Sequence, residues 1–572
     1  MKALAIPAAG QPPAEARSAP AVRQAMPRAR GALAISAAAG LLQTAAALLW
    51  LPQAGLIALA VQGIAAGATA QAALAPAAGV LALGLLRTGL DMMATRRAFR
   101  EARAILSALR DKAATALAAR SPLDGARPAA GLAASAMAEQ AEAVLPYLAR
   151  FRPIRLRATI LPLAILAAIL PFSWLAALVL LATAPLIPIF MALIGLRAQE
   201  ASEAQMLELG GMNGFLLDRL RGLATIRALD AVDATARRLR AAADALRRRS
   251  MAVLRIAFLS SAVLEFFAAL GVAMVAVHIG FHLLGQFPIG TWGHRLDLGE
   301  ALFVLLLAPA FFEPLRDMAA AWHDRAAGEA ALTALDRLAA PGLPLPGALA
   351  AASPAAAPPG PPGVTIEGLG FRHAGAAAPV LTGLDLAIAP GERVALLGPS
   401  GAGKSTLLAL IAGLAPTTEG RITIGGVALT AASAPALRAR IGWIGQRPHL
   451  FAGSLRANIA LGRAGIGGAE VTAAAAAAAF AILLGDEGRG PVGEGGAGLS
   501  GGEALRLALS RAIADPRAEL ILADEPTAHL DAATAAAVTD GLLALAAGRT
   551  LIVATHDLVL VARLDRVVAV PS

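Results

Sequence analysis

One run of residues carries the plainest chemistry in this chain: Gly398-Pro399-Ser400-Gly401-Ala402-Gly403-Lys404-Ser405-Thr406. An apolar run, Val394 to Leu397, precedes it and reads as a strand. Leu407 to Ala412 follows and reads as a helix closed by Gly413. Strand, G-x-x-x-x-G-K-S and helix together make the context of a phosphate-binding P-loop. The glycines let the backbone curl so that its N–H groups face phosphate oxygens, and the helix start adds its positive end. Lys404 is placed for the β- and γ-phosphates of a nucleotide, and the Ser405 hydroxyl for Mg²⁺. Lysine occurs only at Lys2, Lys112 and Lys404 in a chain rich in arginine. The loop therefore keeps a compact point charge where a planar guanidinium is the chain's habit. A plain glycine-rich turn is the bland alternative, and the flanking pattern disfavours it.

Further residues of the same chemistry lie downstream. Gln446 follows an apolar run, Ile441 to Ile444. Leu520 to Asp524 reads as a strand, with Glu525 directly behind it. Leu551 to Thr555 reads as another strand, followed by His556. Asp524 at a strand end can hold Mg²⁺. Glu525 can act as general base on an attacking water. Gln446 and His556 can orient that water and sense the γ-phosphate, Gln446 also as a metal ligand. Ser500-Gly501-Gly502 reads as a second helix-start anion site, placed to complete the phosphate cage of a partner's site. Singly, each has an ordinary reading as a strand end or a helix cap; the order and spacing of the set argue for nucleotide hydrolysis.

The elements that carry these residues follow a half of different character. Of 572 residues, 57% are hydrophobic and 15% charged, and mean hydropathy is +0.66. Soluble domains carry about a quarter charged residues, so the apolar excess must lie in membrane spans. Net charge is +10, but the arginines flank apolar runs, which points to topology rather than nucleic acid. Without cysteine, disulfides, thiolate catalysis and Cys-ligated metals are excluded.

Met1 to Arg30 reads as a flexible cytoplasmic tail, with no apolar stretch long enough for a signal peptide. No charge occurs between Arg30 and Arg87, enough for two spans of ~20 residues, near Gly31–Leu51 and Ala72–Met93. The arginines that follow, from Arg96 to Arg110, mark the cytoplasmic side. Ser107 to Leu148 reads as helical with a break at Pro122–Pro128. Ala158 to Leu196 is again uncharged and reads as spans three and four, joined by a turn at Pro171–Trp174, with Pro185 and Pro188 bending the fourth. Arg197 to Arg255 reads as a cytoplasmic helical hairpin holding a short amphipathic piece, Gly211 to Leu223. Span five runs from Ile256 to Leu284. Span six is continuously apolar only over Leu302–Phe312, beginning near Leu298 and running on through Pro314 and Arg316. The expected domains are a 1–30 tail, a 31–339 transmembrane domain, a 340–363 Pro/Ala/Gly linker and a 364–572 nucleotide-binding domain.

From Val364 onward the chain resembles the nucleotide-binding domain of ABC transporters. LSGGE, Leu499 to Glu503, resembles the ABC signature; VGEGG, Val492 to Gly496, resembles the X-loop of ABC exporters. Phe371-Arg372-His373 lies where the family has its adenine-stacking A-loop. Two residues depart from the pattern: His373 stands where Tyr is usual, and Glu503 where Gln is usual, which puts a carboxylate near bound nucleotide. TAPLIPIFMALIG (Thr183–Gly195), RIAFLSSAVLEFFAALG (Arg255–Gly271) and LAPAFFEPLRDM (Leu307–Met318) are similar to the CydD subunit of CydDC-type bacterial exporters. The resemblance implies a multidomain membrane protein: a six-helix ABC-exporter transmembrane domain followed by an α/β P-loop ABC ATPase domain. It implies ATP and Mg²⁺ as cofactors and a heterodimer with a CydC-like half-transporter. The implied place is the bacterial inner membrane, crossed several times, with the ATPase domain in the cytoplasm. The implied cargo is a small thiol (cysteine or glutathione) or haem, in support of cytochrome bd assembly. Another exporter of the same architecture, for lipid or drug, is the rival; a non-transport ABC ATPase is a second. No nucleic-acid partner is expected.

Four residues in the membrane half are substrate candidates. Glu265 is a carboxylate inside span five, either functional or a structural partner for Arg87 or a cavity wall. Arg87 and Asp91 are i,i+4 and can simply pair. His278 and His282, also i,i+4, can ligate haem iron or a metal, or sit as interfacial histidines.

Overall fold

The computed structural model describes residues 29–187, 189–190, 215–216, 219–220, 222–349, 358–481, 491–493, 496 and 498–570. Met1 to Arg28 of the expected N-terminal tail, most of the Gly211–Leu223 piece, Pro188, and Glu494 and Gly495 of the X-loop lie outside the described residues, while Ala29 and Arg30 open the first helix. The chain packs as two units, Met1–Arg110 with Ala134–Leu335, and Asp111–Ala133 with Asp336–Ser572. Segment 111–133, which the sequence assigns to the membrane half, thus packs with the second unit.

In the first unit the charge-free runs form long helices, as backbone groups away from water must be bonded within their own segment. Helices α1 (Ala29–Leu48) and α2 (Trp50–Ala65) follow each other with one residue between. The helical run reaches Ala65, past the expected end at Leu51, because Pro52 falls in the first turn of α2, where its missing N–H costs nothing. Helix α3 (Leu74–Ala118) carries the second span and continues through the arginines for about 68 Å in all. The break at Pro122–Pro128 is present, and α4 (Ala130–Ala138) resumes after it. Helices α5 (Arg152–Ile169) and α6 (Trp174–Thr183) stand where spans three and four were expected. The turn between them is closed by Ser173, whose side chain accepts from Ala176 N. Helix α6 ends at Thr183 and α5 begins among arginines, so among the described residues neither by itself has the length and composition of a span. Among the described residues four stretches do: Ala38–Ala65, Ala70–Ala118, Ala262–Leu283 and Leu298–Leu338.

Helix α7 (Val232–Leu283) joins the expected cytoplasmic helix to span five without a break at Arg255. Helix α8 (Leu298–Ala320) starts where span six was expected, capped by Asp297 in a capping box with Glu300, and contains both Pro309 and Pro314. Helix α9 (Trp322–Leu338) follows. Phe311 and Phe312 of α8, Leu180 of α6 and Ile279 of α7 meet in the core of this unit. Gly271 lets α7 approach α8: a Cβ there would come within 2.5 Å of the Phe312 ring, the small-residue device by which membrane helices pack closely.

The second unit has two sheets. The antiparallel one orders β2 (Leu381–Ile388), β1 (Val364–Phe371), β4 (Glu419–Ile424) and β5 (Val427–Ala428) side by side. The other is parallel, in the order β6 (Ile441–Ile444), β7 (Leu520–Asp524), β8 (Thr550–Ala554), β3 (Arg393–Leu397), β9 (Arg566–Ala569). β7 and β8 are buried along their whole length, which is why their sequences run apolar without alternation.

The loop after α3 and the start of the linker are locked together in this unit. Ser121 N donates to Leu343 O at 2.8 Å, and Leu345 N to Ala119 O at 2.8 Å. Leu343 N donates to Asp124 Oδ2 at 3.2 Å, and Arg120 reaches Ala340 O. Arg120 and Asp124 are both buried, while Leu123 and Leu343 pack on the core around β1 and β3. The linker therefore begins as a bonded strap rather than as free coil.

Candidate functional site

Parallel strands aim their carboxyl ends at one edge, where loops gather ligands. The P-loop leaves β3 and enters helix α10 (Lys404–Ile411). Gly401 and Gly403 have φ of +90° and +85°, a left-handed geometry that glycine adopts at little cost. A Cβ on Gly403 would also lie 2.7 Å from Val380. Asp524 is the last residue of β7, Gln446 lies two residues past β6, and His556 two past β8. The strand order β6-β7-β8-β3 therefore lines up Gln446, Asp524 with Glu525, His556 and the P-loop along one edge. The sequence-predicted residues Gly398 to Thr406, Gln446, Asp524, Glu525 and His556 are brought together.

Lys404 is 7% exposed. Its Nζ donates to Gly398 O at 2.8 Å and Pro399 O at 3.1 Å, and lies 3.3 Å from His556 Nε2. That same Nε2 lies 3.2 Å from Glu525 Oε1. One imidazole nitrogen cannot both accept from an ammonium and donate to a carboxylate, so Lys404 and Glu525 compete for it. Glu525 has φ +47°, a strained geometry for a non-glycine residue of the kind that clusters at functional sites.

Burial pushes the Asp524 carboxyl above its ordinary value, against the lowering effect of the Ser405 hydroxyl bonded to it and the nearby Lys404 charge. Its Oδ1 is buried without a partner. A carboxylate and a hydroxyl, with one oxygen unspent, are the hard donors that Mg²⁺ takes, so the residues fit the ion. A cavity of about 800 Å³ opens beside them, lined by Ser400, Gln446, Glu525, His529, His556 and Arg563 among others. His373 Nε2 approaches Thr406 Oγ1 at 3.5 Å and packs edge-on against Phe371, beside the P-loop helix.

Ser500 caps helix α11 (Gly501–Ile513). Ser500 N donates to Glu503 Oε2 at 2.7 Å, and Glu503 N to Ser500 Oγ at 3.3 Å. The Glu503 carboxylate thus closes a capping box. Gly502 packs on helix α12 (Ala532–Leu545), where a Cβ would meet Thr534 at 2.6 Å.

The membrane candidates need correction. Glu265 pairs with Arg316 of α8, at 2.9 and 3.1 Å, and not with Arg87. Arg87 makes no ion pair with Asp91 among the described residues; its guanidinium lies 5.8 Å from the Trp50 ring. A charge inside a span signals the need for a counter-charge, but nothing in the sequence says which arginine supplies it. His282 is not free to bind a metal. Its Nδ1 lies 3.1 Å from Phe287 O, and Leu296 N donates to its Nε2 at 3.4 Å, so it pins the loop between α7 and α8. His278 Nε2 contacts Ser173 Oγ at 3.1 Å, a partner 105 residues away that no local pattern reveals.

Comparison with known proteins agrees with these features. Residues 126–314 match the model of the ABC transporter transmembrane region, and 381–528 the ABC transporter model. Transport ATP-binding protein AarD of Providencia stuartii is 37% identical across 83% of this chain and 81% of its own. Glutathione/L-cysteine transport system ATP-binding/permease protein CydD of Escherichia coli (strain K12) is 36% identical across 75% and 72%. The corresponding CydC of Bacillus subtilis is 31% identical across 74% and 72%. The structure of a bacterial Atm1-family ABC exporter with ATP bound superposes with a TM-score of 0.70 at 24% identity, covering 95% of this chain and 94% of that one. With a membrane domain, an ATP-binding domain and CydD homologues aligned across most of its length, the chain belongs to the ABC transporters, as a half-transporter of the exporter type.

Proposed function

We propose that this half-transporter uses ATP to move a small thiol, glutathione or cysteine, across the bacterial inner membrane, paired with a CydC-like second chain. The observation that carries the cargo class is the 36% identity, over 72% of its length, to a protein named for glutathione/L-cysteine transport. In this reading Gly398 to Thr406 cradle the phosphates and His373 stacks on the base. Ser405, Asp524 and Gln446 would hold Mg²⁺, which supplies positive charge to the phosphates when bound. Phosphate arriving at the P-loop draws Lys404 away from the Gly398 and Pro399 carbonyls and from His556. The freed imidazole can then donate to Glu525 or to the γ-phosphate. Glu525 takes the proton of the attacking water as that water's oxygen bonds to the γ-phosphorus and the bond to the β-phosphate oxygen breaks. Ser500, Gly501 and Gly502 close the site on the partner chain. ATP binding brings the two ATPase domains together, and hydrolysis releases them, so that the cargo path opens to alternate sides. Support of cytochrome bd assembly is the cellular role this reading assigns.

Glu525→Gln should keep ATP binding and lower turnover at this chain's site by about 10²–10⁴-fold. An unchanged ATPase rate in the assembled pair would remove Glu525 as the base. Cargo is tested by ATPase stimulation of the reconstituted pair with glutathione, cysteine, haem and a lipid-like drug side by side. Stimulation by haem or the drug alone would overturn the thiol assignment.

A further inference from the structure

Arg438 holds two parts of the second unit at once. It closes the short helix Ala434–Arg438, and its Nη1 donates to Gly413 O and to Pro346 O, each at 2.8 Å. Gly413 stands just past the C-terminus of the P-loop helix α10, where the chain turns away at φ +63°. Pro346 directly follows the bonded residues of the strap. A cation is favoured at the carbonyl end of a helix. This one is half-buried and has no ion pair among the described residues, and burial pulls its guanidinium below the ordinary value. A charge taken from water without a counter-charge is costly. What the fold gains from it here is a join between α10 and the strap.

The strap is shaped to meet that join. Gly347 has φ +74°, and a Cβ there would lie 2.5 Å from Ala431 O and 2.6 Å from Pro435, beside and within the short helix that carries Arg438. Two residues further on, Arg440 donates to Pro358 O at 2.8 Å and to Gly360 O at 3.1 Å. The linker is thus held at Pro346 and again at Pro358, so a pull on the strap ends on Arg438 before it reaches the rest of the linker.

Two helices that run from the first unit into the second end at the strap: α3, across Arg110, and α9, across Leu335. Ala119 O, one residue past α3, accepts from Leu345 N, and Ala340 O, two past α9, accepts from Arg120. On the other side of Arg438 stands α10, whose first residue is Lys404. That helix is a stiff rod of about 12 Å, so what moves Lys404 moves Gly413. Phosphate moves Lys404 by taking the donors it now spends on Gly398 O and Pro399 O. We propose that Arg438 is a positioning residue that joins the P-loop helix to the strap, so that nucleotide on Lys404 is felt at the ends of α3 and α9 through Gly413 and Pro346 rather than along the covalent linker. This needs only nucleotide at the P-loop and holds whatever the cargo is.

Hydrogen exchange, read by mass spectrometry on the transporter assembled from both chains, tests it at the amides of Ser121, Leu343 and Leu345, the bonded N–H groups of the strap. Saturating Mg²⁺-ATP with vanadate should slow their exchange by about five-fold or more, the lower end of coupling between sites. Arg438→Met should bring the ratio of rates with and without nucleotide to about one. An arginine that only stabilised the fold would raise exchange in both conditions alike and leave the ratio as it was. Gly347→Ala displaces the strap end and leaves Arg438 on Gly413, so it should remove the response with the P-loop helix intact. A short Gly-Ser insertion after Ala350 should keep the response. No slowing in the unmodified protein, a ratio that survives Arg438→Met or Gly347→Ala, or a response lost on the insertion would each overturn the proposal.

Discussion

Asp524 lies at the end of a fully buried strand with one oxygen on Ser405 and the other without a partner. Burial raises its carboxyl, so the folded protein binds that proton more tightly than the unfolded chain does. By linkage, nucleotide-free stability falls as pH rises from the ordinary carboxylate value through the raised one, where the buried group takes its charge. Asp524→Asn should therefore leave the melting temperature of the nucleotide-free protein at pH 7 equal or higher, while Mg²⁺-dependent ATPase drops by at least about 100-fold. A lowered melting temperature without Mg²⁺ would show that the charge is already compensated. P-loop, Asp524 and Glu525 were legible in the sequence because each has a fixed local context of strand, turn and helix. The competition of Lys404 and Glu525 for one nitrogen of His556 was not, as it depends on three loops meeting.

The element with most at stake is the strap that ties the loop after α3 to the start of the linker. Asp124 is held by Leu343 N and Ala126 N, and Arg120 stands 4.0 Å away, both side chains nearly free of solvent. Removing one partner of a buried pair leaves the other uncompensated. Asp124→Ala should destabilise the second unit by about 3–5 kcal/mol, read as a lowered melting transition that Mg²⁺-ATP shifts upward. An unchanged transition would show that the strap contributes nothing to stability. Proline and glycine announced a break here, but a break in periodicity says only that a helix stops. Where the loop then goes is set by contacts more than 200 residues away along the chain. The helices themselves were legible from charge-free runs, and their ends were not. Pro52 and Pro314 lie inside helices because a first turn and a packed bundle each tolerate the missing donor.

For the whole molecule, the signature helix start is the feature on which the proposed second chain bears. A Cβ on Gly501 would meet nothing within 4 Å, so a side chain fits there within this chain. Gly501→Asp should fold normally and keep ATP binding at Lys404 within about two-fold, while placing a carboxylate against phosphate in the partner's site and cutting turnover there. Vanadate trapping of nucleotide on each chain separately would show it; equal trapping on both would place Gly501 away from the shared site.

The sequence by itself determined the nucleotide chemistry and the membrane architecture, because both rest on short-range physics. A glycine-rich turn between strand and helix makes a phosphate cradle wherever it occurs, and a long uncharged run must satisfy its backbone as helix. Only the tertiary structure decided which groups face each other. It ordered Gln446, Asp524, His556 and the P-loop along one sheet edge in an order that differs from their order in the chain. It gave Glu265 to Arg316, bound both nitrogens of His282, and joined His278 to Ser173. Those outcomes depend on strand order and helix packing, whose partners lie tens to hundreds of residues apart and leave no periodic trace in the sequence.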